Sequence, residues 1–326
     1  MKIVVTGANG HVGVNLCDTL IKNGHFVRAL SHENTNGIKH INTEIVKGDL
    51  LNKDSIMKLL DGMDIVFHLA AKISIRGDAD GSVRNINVEG TKNILELARE
   101  SQIKRFIHFS SIHAFHHGSP DESLDETSPL VGAGAFSYDR SKADGETLVK
   151  EASQDGFNAV ILSPTAIIGP MDYEPSLMGK ALLQLYHNQI PSLVPGGYNW
   201  VDVRDIVNAS ISAIERGRKG EKYLLGGHYH SLIDVASIIQ KQTGRKTVRF
   251  VVPFWLAKVG LPFITAYSRI SHADPLYTSE SLKILEKSNK QISNLKARNE
   301  LGFNPRPLDE TIRDTFQWFK ETGVIK

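Results

Sequence analysis

The sequence predicts an α/β protein, in which a doubly wound parallel sheet is interleaved with a smaller, mixed α/β domain. Three observations support this prediction. Short apolar runs alternate with longer helical patterns through the first half of the chain, a glycine-rich turn follows the first run, and the alternation fades after Pro164. Strand–helix alternation with continuously apolar strands is typical of a parallel sheet that helices cover on both faces.

The candidate strands are β-branched or aromatic runs bounded by Gly, Asp or Ser. They are Ile3–Thr6, Phe26–Leu30, Glu44–Lys47, Ile65–His68, Phe106–Phe109 and Ala159–Leu162. Helical patterns lie between them at Val12–Lys22, Lys53–Leu60, Asn85–Glu100 and Lys142–Ala152.

The domains are expected to interleave along the chain. Residues 1–165 and 199–226 form the larger domain, because a strand and a helix between Asn199 and Gly226 have the pattern of segments that return to the sheet. Residues 166–198 and 227–326, which are rich in turn residues at first, form the smaller domain.

Composition excludes several function classes. The chain has 326 residues and a net charge of +2 from 38 bases and 36 acids without a basic block, so we expect no nucleic-acid partner. A single cysteine, Cys17, permits no intramolecular disulfide and fits a reducing compartment, the cytoplasm.

The longest apolar tract, Val251–Tyr267, is interrupted by two prolines, a lysine and a glycine. We therefore expect a lid or core segment rather than a membrane span, with shallow membrane contact as the alternative.

The glycine-rich turn indicates a dinucleotide site. Gly7, Gly10 and Gly13 have the spacing G-x-x-G-x-x-G, directly after the first strand and before the first helix. The first glycine permits a tight turn, the second lets backbone approach a pyrophosphate, and the third lets the helix pack closely on the strand. The free amides at the helix N-terminus then face the phosphates.

The end of the second strand favours NADP over NAD. NAD specificity normally shows as an acid there, hydrogen-bonded to the ribose 2′-hydroxyl. Ser31 stands at that position, and His32 or Lys39 could accompany a 2′-phosphate. Glu33 could still reach a ribose, which keeps NAD open.

A tyrosine, a lysine and a serine form the candidate catalytic set. Tyr138 and Lys142 are four residues apart, so they share one face of a helix. A nearby ammonium lowers the pKa of a phenol, which would make Tyr138 a usable acid or base. Ser111 follows the strand Phe106–Phe109, at the sheet edge where ligands of such folds bind, and would hold the substrate oxygen.

Together these elements resemble the extended branch of the short-chain dehydrogenase/reductase superfamily, also called the NAD-dependent epimerase/dehydratase family. The resemblance covers nearly the whole chain and implies a Rossmann-type fold. Further matching segments are Gly48-Asp49-Leu50, His68-Leu69-Ala70-Ala71, Asn87-Val88-Glu89-Gly90-Thr91, and Pro164-Thr165 with Gly169-Pro170.

The resemblance implies that the larger domain binds NAD(P) and that the smaller domain binds substrate. In the family, the lysine also binds the nicotinamide ribose and the tyrosine transfers the proton. The implied cofactor-binding residues are Gly7, Asn9, Gly10, His11, Val12, Gly13, Ser31, His32, Asp49, Leu50, Leu69, Ala70, Ala71, Lys72, Tyr138, Lys142, Pro164, Thr165 and Ile167. A homodimer through the helices Asn85–Glu100 and Tyr138–Ala152 is also implied.

The chain is most similar to the dihydroflavonol-reductase-like and hopanoid-associated sugar-epimerase-like subgroup. The matching segments are residues 196–205 and 220–227, and the tail Lys296-Ala297-Arg298 with Leu301-Gly302-Phe303 and Trp318-Phe319. Nucleotide-sugar epimerases of the family carry an arginine near position 198 that clamps the substrate diphosphate. Tyr198 stands there, and a phenol cannot replace a bidentate guanidinium.

Several other residues can be interpreted either as functional or as ordinary structural residues. His113, close to the candidate serine, either faces the substrate or is an ordinary loop histidine, as are His116 and His117. His228 and His230 share a face if extended, but no third ligand has metal-site spacing, so we expect no metal. Phe254, Trp255, Phe263 and Tyr267 could line an apolar pocket or form the core of the smaller domain.

The expected function is an NAD(P)-dependent oxidoreductase that reduces a ketone or oxidises a secondary alcohol by hydride transfer. Its partner is a small carbonyl or alcohol molecule, which Tyr198 and His113 are candidates to contact. One alternative is an NAD-dependent sugar or nucleotide-sugar epimerase or dehydratase with tightly bound cofactor. Another is a redox-sensing binding module, against which the Tyr138–Lys142 pair argues.

Overall fold

Seven parallel strands form the central sheet of the computed structural model, which describes residues 1–32, 34–75, 77–248, 250–261 and 277–326. Their order is β10-β7-β5-β4-β1-β2-β3, and all six neighbouring pairs run parallel. The strands are β1 (Lys2–Thr6), β2 (Phe26–Ser31), β3 (Glu44–Lys47), β4 (Ile65–His68), β5 (Arg105–Phe109), β7 (Ala159–Pro164) and β10 (Lys222–Leu225). The Rossmann-type doubly wound sheet predicted from the sequence is confirmed.

Helices cover both faces of this sheet. The helices of the chain, including those that pack elsewhere, are numbered α1 (His11–Lys22), α2 (Lys53–Leu60), α3 (Ser82–Arg84), α4 (Gly90–Glu100), α5 (Ser137–Gln154), α6 (Leu177–Tyr186), α7 (Val203–Arg216), α8 (Leu232–Thr243), α9 (Ser279–Lys287), α10 (Leu295–Leu301) and α11 (Leu308–Glu321), and a further helical segment is described below. Alternate residues of β1 enter different cores: Ile3 and Val5 pack with α1 and α7, while Val4 packs with α2 and α4. This alternation is the expected result of a strand buried on both sides.

Two small sheets lie beside the large one. In the first, β8 (Ala166–Ile168) runs parallel to β9 (Gly197–Asp202), which pairs antiparallel with β11 (His228–Ser231). In the second, β6 (Ser123–Leu124) pairs with β12 (Gln291–Ile292). A separate apolar core of buried residues from α6, α8, α9 and α11 packs near the three-stranded sheet.

The return of the chain to the large sheet differs in part from the expectation. β10 joins the large sheet beside β7, and α7 packs on α1, as predicted for residues between Asn199 and Gly226. β9, however, does not enter the large sheet, because its backbone bonds go to β8 and β11. The division of the chain into two domains remains a prediction.

The helix expected at Asn85–Glu100 begins earlier and is not uniform. It starts as α3, passes through a π-helical turn at Asn85–Glu89, and continues as α4. Such π turns are frequent at functional sites, and Asn87 in this turn holds the backbone of Lys72 through two hydrogen bonds of 2.7 and 3.0 Å.

Only part of the apolar tract Val251–Tyr267 is described. Residues 254–261 are helical and carry Phe254 and Trp255, whereas Phe263 and Tyr267 lie outside the described residues. Within the described ranges, no helix is both long enough and apolar enough to cross a membrane.

A buried ionic network ties the start of α7 to the segment before α11. Arg306 donates to both carboxylate oxygens of Asp205, at 2.7 to 3.2 Å, and lies 3.7 Å from Asp202. The side chains of Asp205 and Asp202 are only 6% and 0% exposed. Both carboxylates therefore depend on arginines for compensation of their buried charge.

We expect Arg306→Ala to destabilise the protein by about 3–5 kcal/mol, since it leaves a buried carboxylate without its partner. The control is Arg313→Ala, which removes an exposed arginine from Asp314 and should cost less than about 1 kcal/mol. Urea unfolding of both variants measures the difference. Equal losses in the free energy of unfolding of the two variants would show that the Arg306 ion pair contributes no more to stability than an exposed one.

Candidate active site

The glycine turn has the geometry of a phosphate-binding loop. Gly7 has φ +68°, and a Cβ there would lie 2.7 Å from the backbone nitrogen of Ala70. A Cβ on Gly13 would lie 2.2 Å from the carbonyl oxygen of Gly7. These two glycines are therefore required by the close approach of β1, α1 and the segment after β4.

Gly10, the middle glycine of the turn, is not required by packing, so its role shows whether the turn fits a dinucleotide. Gly10 has φ −77°, and the nearest atom to a Cβ there is the Gly7 carbonyl oxygen at 3.4 Å, an ordinary contact. Gly10 is also the N-cap of α1 and offers no side-chain cap to its first turn. Free N–H groups and the positive end of the helix dipole suit the diphosphate of NAD(P), so the residues present fit this group.

Four of the predicted cofactor-binding residues lie at or just after the carboxyl ends of β2 and β3, and a fifth, Asn9, lies in the glycine turn after β1. Ser31 is buried and donates to the Asn34 carbonyl at 2.9 Å, while the side chain of His32 is 66% exposed and lies 3.7 Å from Asp49. Asn9 accepts a hydrogen bond from the Gly37 backbone at 2.7 Å, and Leu50 is buried. None of these five lines the main cavity.

A cavity of about 1280 Å³ joins the glycine turn to the candidate catalytic residues. Most of the predicted site lines it. The lining includes Gly7, Gly10, His11, Val12, Gly13, Leu69, Ala70, Ala71, Lys72, Ser111, His113, Tyr138, Lys142, Pro164, Thr165, Ile167 and Tyr198. Residues from four strand ends and from α1 and α5 thus meet in one space, at the carboxyl edge of the sheet.

Lys142 is buried at the centre of this cavity wall. Its side chain extends from α5, and its Nζ donates to the Phe109 carbonyl at the end of β5, 2.5 Å away. Burial lowers the pKa of the ammonium from its ordinary value of 10.5 to about 8, and the negative charge of Glu146 opposes this shift. The side chain is still mostly charged at neutral pH.

The acidity of Tyr138 differs from the expectation. Burial raises the pKa of this phenol to about 12, opposed by a hydrogen bond with Ser111. The sequence-based expectation was that Lys142 lowers this pKa. In the structure the lysine ammonium is bonded to the Phe109 carbonyl, and desolvation of the phenolate has the larger effect. Tyr138 therefore holds its proton at neutral pH.

Ser111 and His113 stand beside the phenol on one short helical turn. Ser111 is the N-cap of the 3₁₀ turn Ile112–Ala114 and accepts a hydrogen bond from the His113 backbone at 3.2 Å. The ring of His113 contacts that of Tyr138 edge-on, with centroids 6.0 Å apart, and its Nδ1 lies 3.3 Å from an Asp139 carboxylate oxygen. His113 lines the cavity, and its contact with a substrate stays a prediction.

The part of the cavity away from the glycine turn combines a largely apolar wall with charged side chains, among them Lys180, Lys283 and Lys287. Tyr198 is half-buried there with its ring against Trp200, and burial raises the pKa of its phenol. Within the described residues that line the cavity there is no arginine. Several aliphatic side chains complete this wall, among them Ile73, Val131, Leu177, Met178, Leu185 and Ile284.

Sequence reasoning missed a buried carboxylate behind the catalytic set. Glu146 is 1% exposed and accepts hydrogen bonds from Ser110 at 2.6 Å and from Lys222 at 3.1 Å. It lies one helical turn after Lys142. The spacing Lys142–Glu146 could have indicated this neighbour, but the pairing with β10 could not be read from local sequence.

A second missed residue is Glu280 on α9, which lines the cavity with its side chain buried. An acidic residue in the first turn of a helix is common on protein surfaces, so no sequence signal distinguished it. Concerning metals, the part of the chain that the structure describes has no group of three or more His, Cys, Asp or Glu able to hold an ion. His228 and His230 lie on β11, where His228 bonds the Pro305 carbonyl at 3.3 Å.

Residues 3–226, more than two thirds of the chain, match the NAD dependent epimerase/dehydratase family. The chain belongs to this family. The resemblance stated from the motifs is thereby confirmed, and the protein is an NAD(P)-dependent oxidoreductase that acts on CH–OH groups.

Full-length relatives agree with this assignment. The chain is 30% identical to sterol demethylase protein B of Methylococcus capsulatus, with 100% of both chains covered. It is 30% identical to a putative dihydroflavonol 4-reductase of Synechocystis, with 99% of this chain and 95% of the relative covered. The crystal structure of gox2253 superimposes with a TM-score of 0.86 at 30% identity and covers 100% of this chain and 99% of that chain.

Proposed function

We propose that the protein reduces a ketone to a secondary alcohol, or catalyses the reverse reaction, with Ser111, Tyr138 and Lys142 as its catalytic residues. The observation that carries this proposal is the single cavity that joins the glycine turn to these three side chains and continues into an apolar space. The name of the Synechocystis relative, a putative reductase, is consistent with it.

The three side chains would have different roles at the substrate oxygen. A bound nicotinamide supplies or accepts the hydride at the carbonyl carbon. In reduction, Tyr138 donates its proton to the oxygen: the phenol O–H bond breaks and the alcohol O–H bond forms. Ser111 donates a hydrogen bond to the same oxygen as its charge grows. The Lys142 ammonium stabilises the phenolate that remains and would hold the cofactor ribose.

The side chains that line the cavity favour this reaction over nucleotide-sugar epimerisation. A diphosphate is usually recognised by arginine, whose guanidinium forms two parallel hydrogen bonds to it. No arginine lines the cavity within the described residues, and Tyr198 stands where the family's epimerases place one. An epimerase with bound NAD would form product without added cofactor, whereas a reductase would stop.

For the cofactor we propose NADP, with NAD as the alternative. β2 ends in Ser31 rather than in an acid, and the exposed His32 follows it. Glu33, the acid that could select NAD, lies outside the described residues. The His32 ring, whose side chain is 66% exposed, is free to turn toward a 2′-phosphate and donate a hydrogen bond to it.

The proposal also covers the roles of the two domains, the cellular compartment and the oligomeric state. We infer that residues 1–165 and 199–226 bind the cofactor and that residues 166–198 and 227–326 bind the substrate. Cytoplasmic NADP would be the supply, in line with the lone Cys17, which is buried. A homodimer through the helices Asn85–Glu100 and Tyr138–Ala152 is part of the same inference.

We expect Gly10→Ala to weaken binding of the cofactor at least ~10-fold with little change in stability, because its methyl group meets no tight protein contact. Gly13→Ala should instead destabilise the protein, since its methyl group would overlap the Gly7 carbonyl. Fluorescence titration with NADPH and NADH, with thermal unfolding in parallel, measures both effects. Tighter NADH than NADPH binding by the wild type would overturn the NADP proposal.

We expect Tyr138→Phe to lower turnover at least ~100-fold while cofactor affinity stays nearly unchanged, because only the transferable proton is lost. Tyr173→Phe is the matched control, since Tyr173 does not line the cavity. Steady-state kinetics with a panel of ketones, together with cofactor titration, gives both numbers. Undiminished turnover in Tyr138→Phe would end the assignment.

We expect ketone reduction to fall as pH rises through about 8, the pKa of Lys142, while Tyr138, with a pKa of about 12, keeps its proton. Stability should change in the opposite direction. Between about 8 and 10.5 the unfolded chain binds the lysine proton and the folded chain does not, so the free energy of unfolding rises with pH.

The pH dependence of kcat at saturating cofactor, and urea unfolding across the same range, measure these two effects. Lys142→Met should remove the rise in stability. A kcat that stays constant up to pH about 10 would contradict a role for the Lys142 charge.

A further inference from the structure

A short segment after β8 crosses from the start of α1 to the residues that follow β2. This segment, residues 170–176, is called the strap. At its start the Pro170 carbonyl accepts hydrogen bonds from His11 at 3.0 Å and from Asn15 at 3.1 Å, both in the first two turns of α1. The strap is therefore fastened beside the turn that would hold the diphosphate of NAD(P).

The other end of the strap is fastened to the segment after β2 through Glu174. The carboxylate of Glu174 accepts hydrogen bonds from the side-chain amides of Asn34 and Asn36, the latter at 3.4 Å. The Asn34 carbonyl in turn accepts a hydrogen bond from Ser31 at 2.9 Å, at the end of β2. Glu174 also lines the cavity that contains the glycine turn. It therefore lies near the strand end where dinucleotide-binding folds place the adenosine ribose.

The middle of the strap is held by contacts that do not involve Glu174. The ring of Tyr173 lies 4.7 Å from that of His40 and 5.1 Å from that of Trp318, between centroids. The side chain of Asp172, a buried residue, accepts hydrogen bonds from the Ser176 backbone at 3.0 Å and from its hydroxyl at 2.8 Å. Loss of the Glu174 contacts would therefore detach the strap from residues 34–36 and leave its own conformation in place.

These contacts close a ring on the adenosine side of the glycine turn. The ring runs from β1 through the turn and α1 to the strap, and it returns through Asn34 and Ser31 to β2, which pairs with β1. Asn9 in the turn also accepts a hydrogen bond from the Gly37 backbone at 2.7 Å. A dinucleotide with its diphosphate on the turn and its ribose at the end of β2 would lie where these segments meet.

We propose that the strap closes over the adenosine half of bound NAD(P), and that the contacts of Glu174 with Asn34 and Asn36 must break each time the cofactor enters or leaves. Glu174 is in this sense a positioning residue, since it acts through the strap. The inference rests on one part of the proposed function, the binding of NAD(P) at the glycine turn, and is independent of the reaction catalysed.

The kinetics of binding distinguish closure from direct contact. A side chain that binds the cofactor itself acts mainly on dissociation, the rate constant in which most affinity differences between variants appear. A strap that must open before the cofactor passes slows association and dissociation alike. The two rate constants therefore separate the proposed role of Glu174 from a contact with a cofactor ribose.

Stopped-flow fluorescence with NADPH and with NADH measures both rate constants. We expect Glu174→Ala to raise association and dissociation by at least ~5-fold each, because two hydrogen bonds to a charged group are lost. The Kd should change less than ~3-fold, because the same contacts hold the strap in the free and in the loaded protein. Glu174→Gln should stay within ~2-fold of the wild type, since an amide oxygen still accepts both hydrogen bonds.

Two further variants show whether the effect passes through the contact with Asn34. Asn34→Ala combined with Glu174→Ala should be no faster than Glu174→Ala alone, because both changes break the same contact. The control is Glu215→Ala, which removes an exposed glutamate on α7 that does not line the cavity and should leave both rate constants unchanged. Additive effects of the two strap changes, or a Glu174→Ala variant in which dissociation alone changes, would overturn the proposal.

A covalent link tests the closure directly. Asn34→Cys and Glu174→Cys are combined and joined by a short bismaleimide, while Cys17 is buried and burial raises the pKa of its thiol to about 12, so it does not react. Protein linked after NADPH has bound should retain the cofactor through gel filtration. Protein linked while empty should bind NADPH at least ~10-fold more slowly than the unlinked double variant. Equal rates in the linked and unlinked forms would contradict the closure.

Failure of the proposed function gives a different result. If the wild type binds neither NADPH nor NADH, or if Gly10→Ala binds them as tightly as the wild type, the dinucleotide site at the glycine turn fails together with this inference. If binding depends on Gly10 and Glu174→Ala leaves both rate constants unchanged, only the role of the strap fails.

Discussion

The candidate active site depends on one buried positive charge, the ammonium of Lys142. Burying an unpaired charge costs several kcal/mol, so the surrounding residues must compensate for it. The Phe109 carbonyl, freed where β5 ends, accepts its hydrogen bond, and Glu146 supplies a negative charge one turn along α5. Glu146 in turn receives hydrogen bonds from Ser110 and Lys222. Ser110, the residue before Ser111, therefore links this part of the chain to Glu146 and, through the charge of Glu146, to Lys142.

This charge also adds to the effect of burial on two histidines behind it. His68 and His108 are fully buried on β4 and β5, with their rings stacked at 5.5 Å. Burial and the charge of Lys142 lower the pKa of both imidazoles, and that of His68 falls to about 3. Both rings therefore stay neutral at neutral pH. With its proton retained, Tyr138 is prepared to act as an acid, the form that carbonyl reduction requires.

The sequence was sufficient to predict elements that depend only on residues close together in the chain. The bounds of β3 and β4 were predicted correctly, because each strand is specified by residues within one short segment. The glycine turn and the Tyr138–Lys142 pair were found from local spacing as well, and both line the cavity, while their roles stay predictions. β9 and Glu280 were not predictable in this way. The partners of β9 come from distant segments, and Glu280 lies in a helix whose acidic first turn is equally typical of a solvated surface. Tertiary contacts, rather than propensity, decide both cases.

Lys142 and Glu280 show how burial acts on a cation and on an acid that line one cavity. Burial disfavours the charged form of each, so it lowers the pKa of the Lys142 ammonium to about 8 and raises that of the Glu280 carboxyl group to about 7. The two groups differ in their surroundings. The charge of Glu146 and the Phe109 carbonyl favour the ammonium form of Lys142, whereas repulsion from Asp139 adds to the rise at Glu280. Lys142 therefore keeps its charge and its position at neutral pH, while the charge of the wall at Glu280 changes close to neutrality.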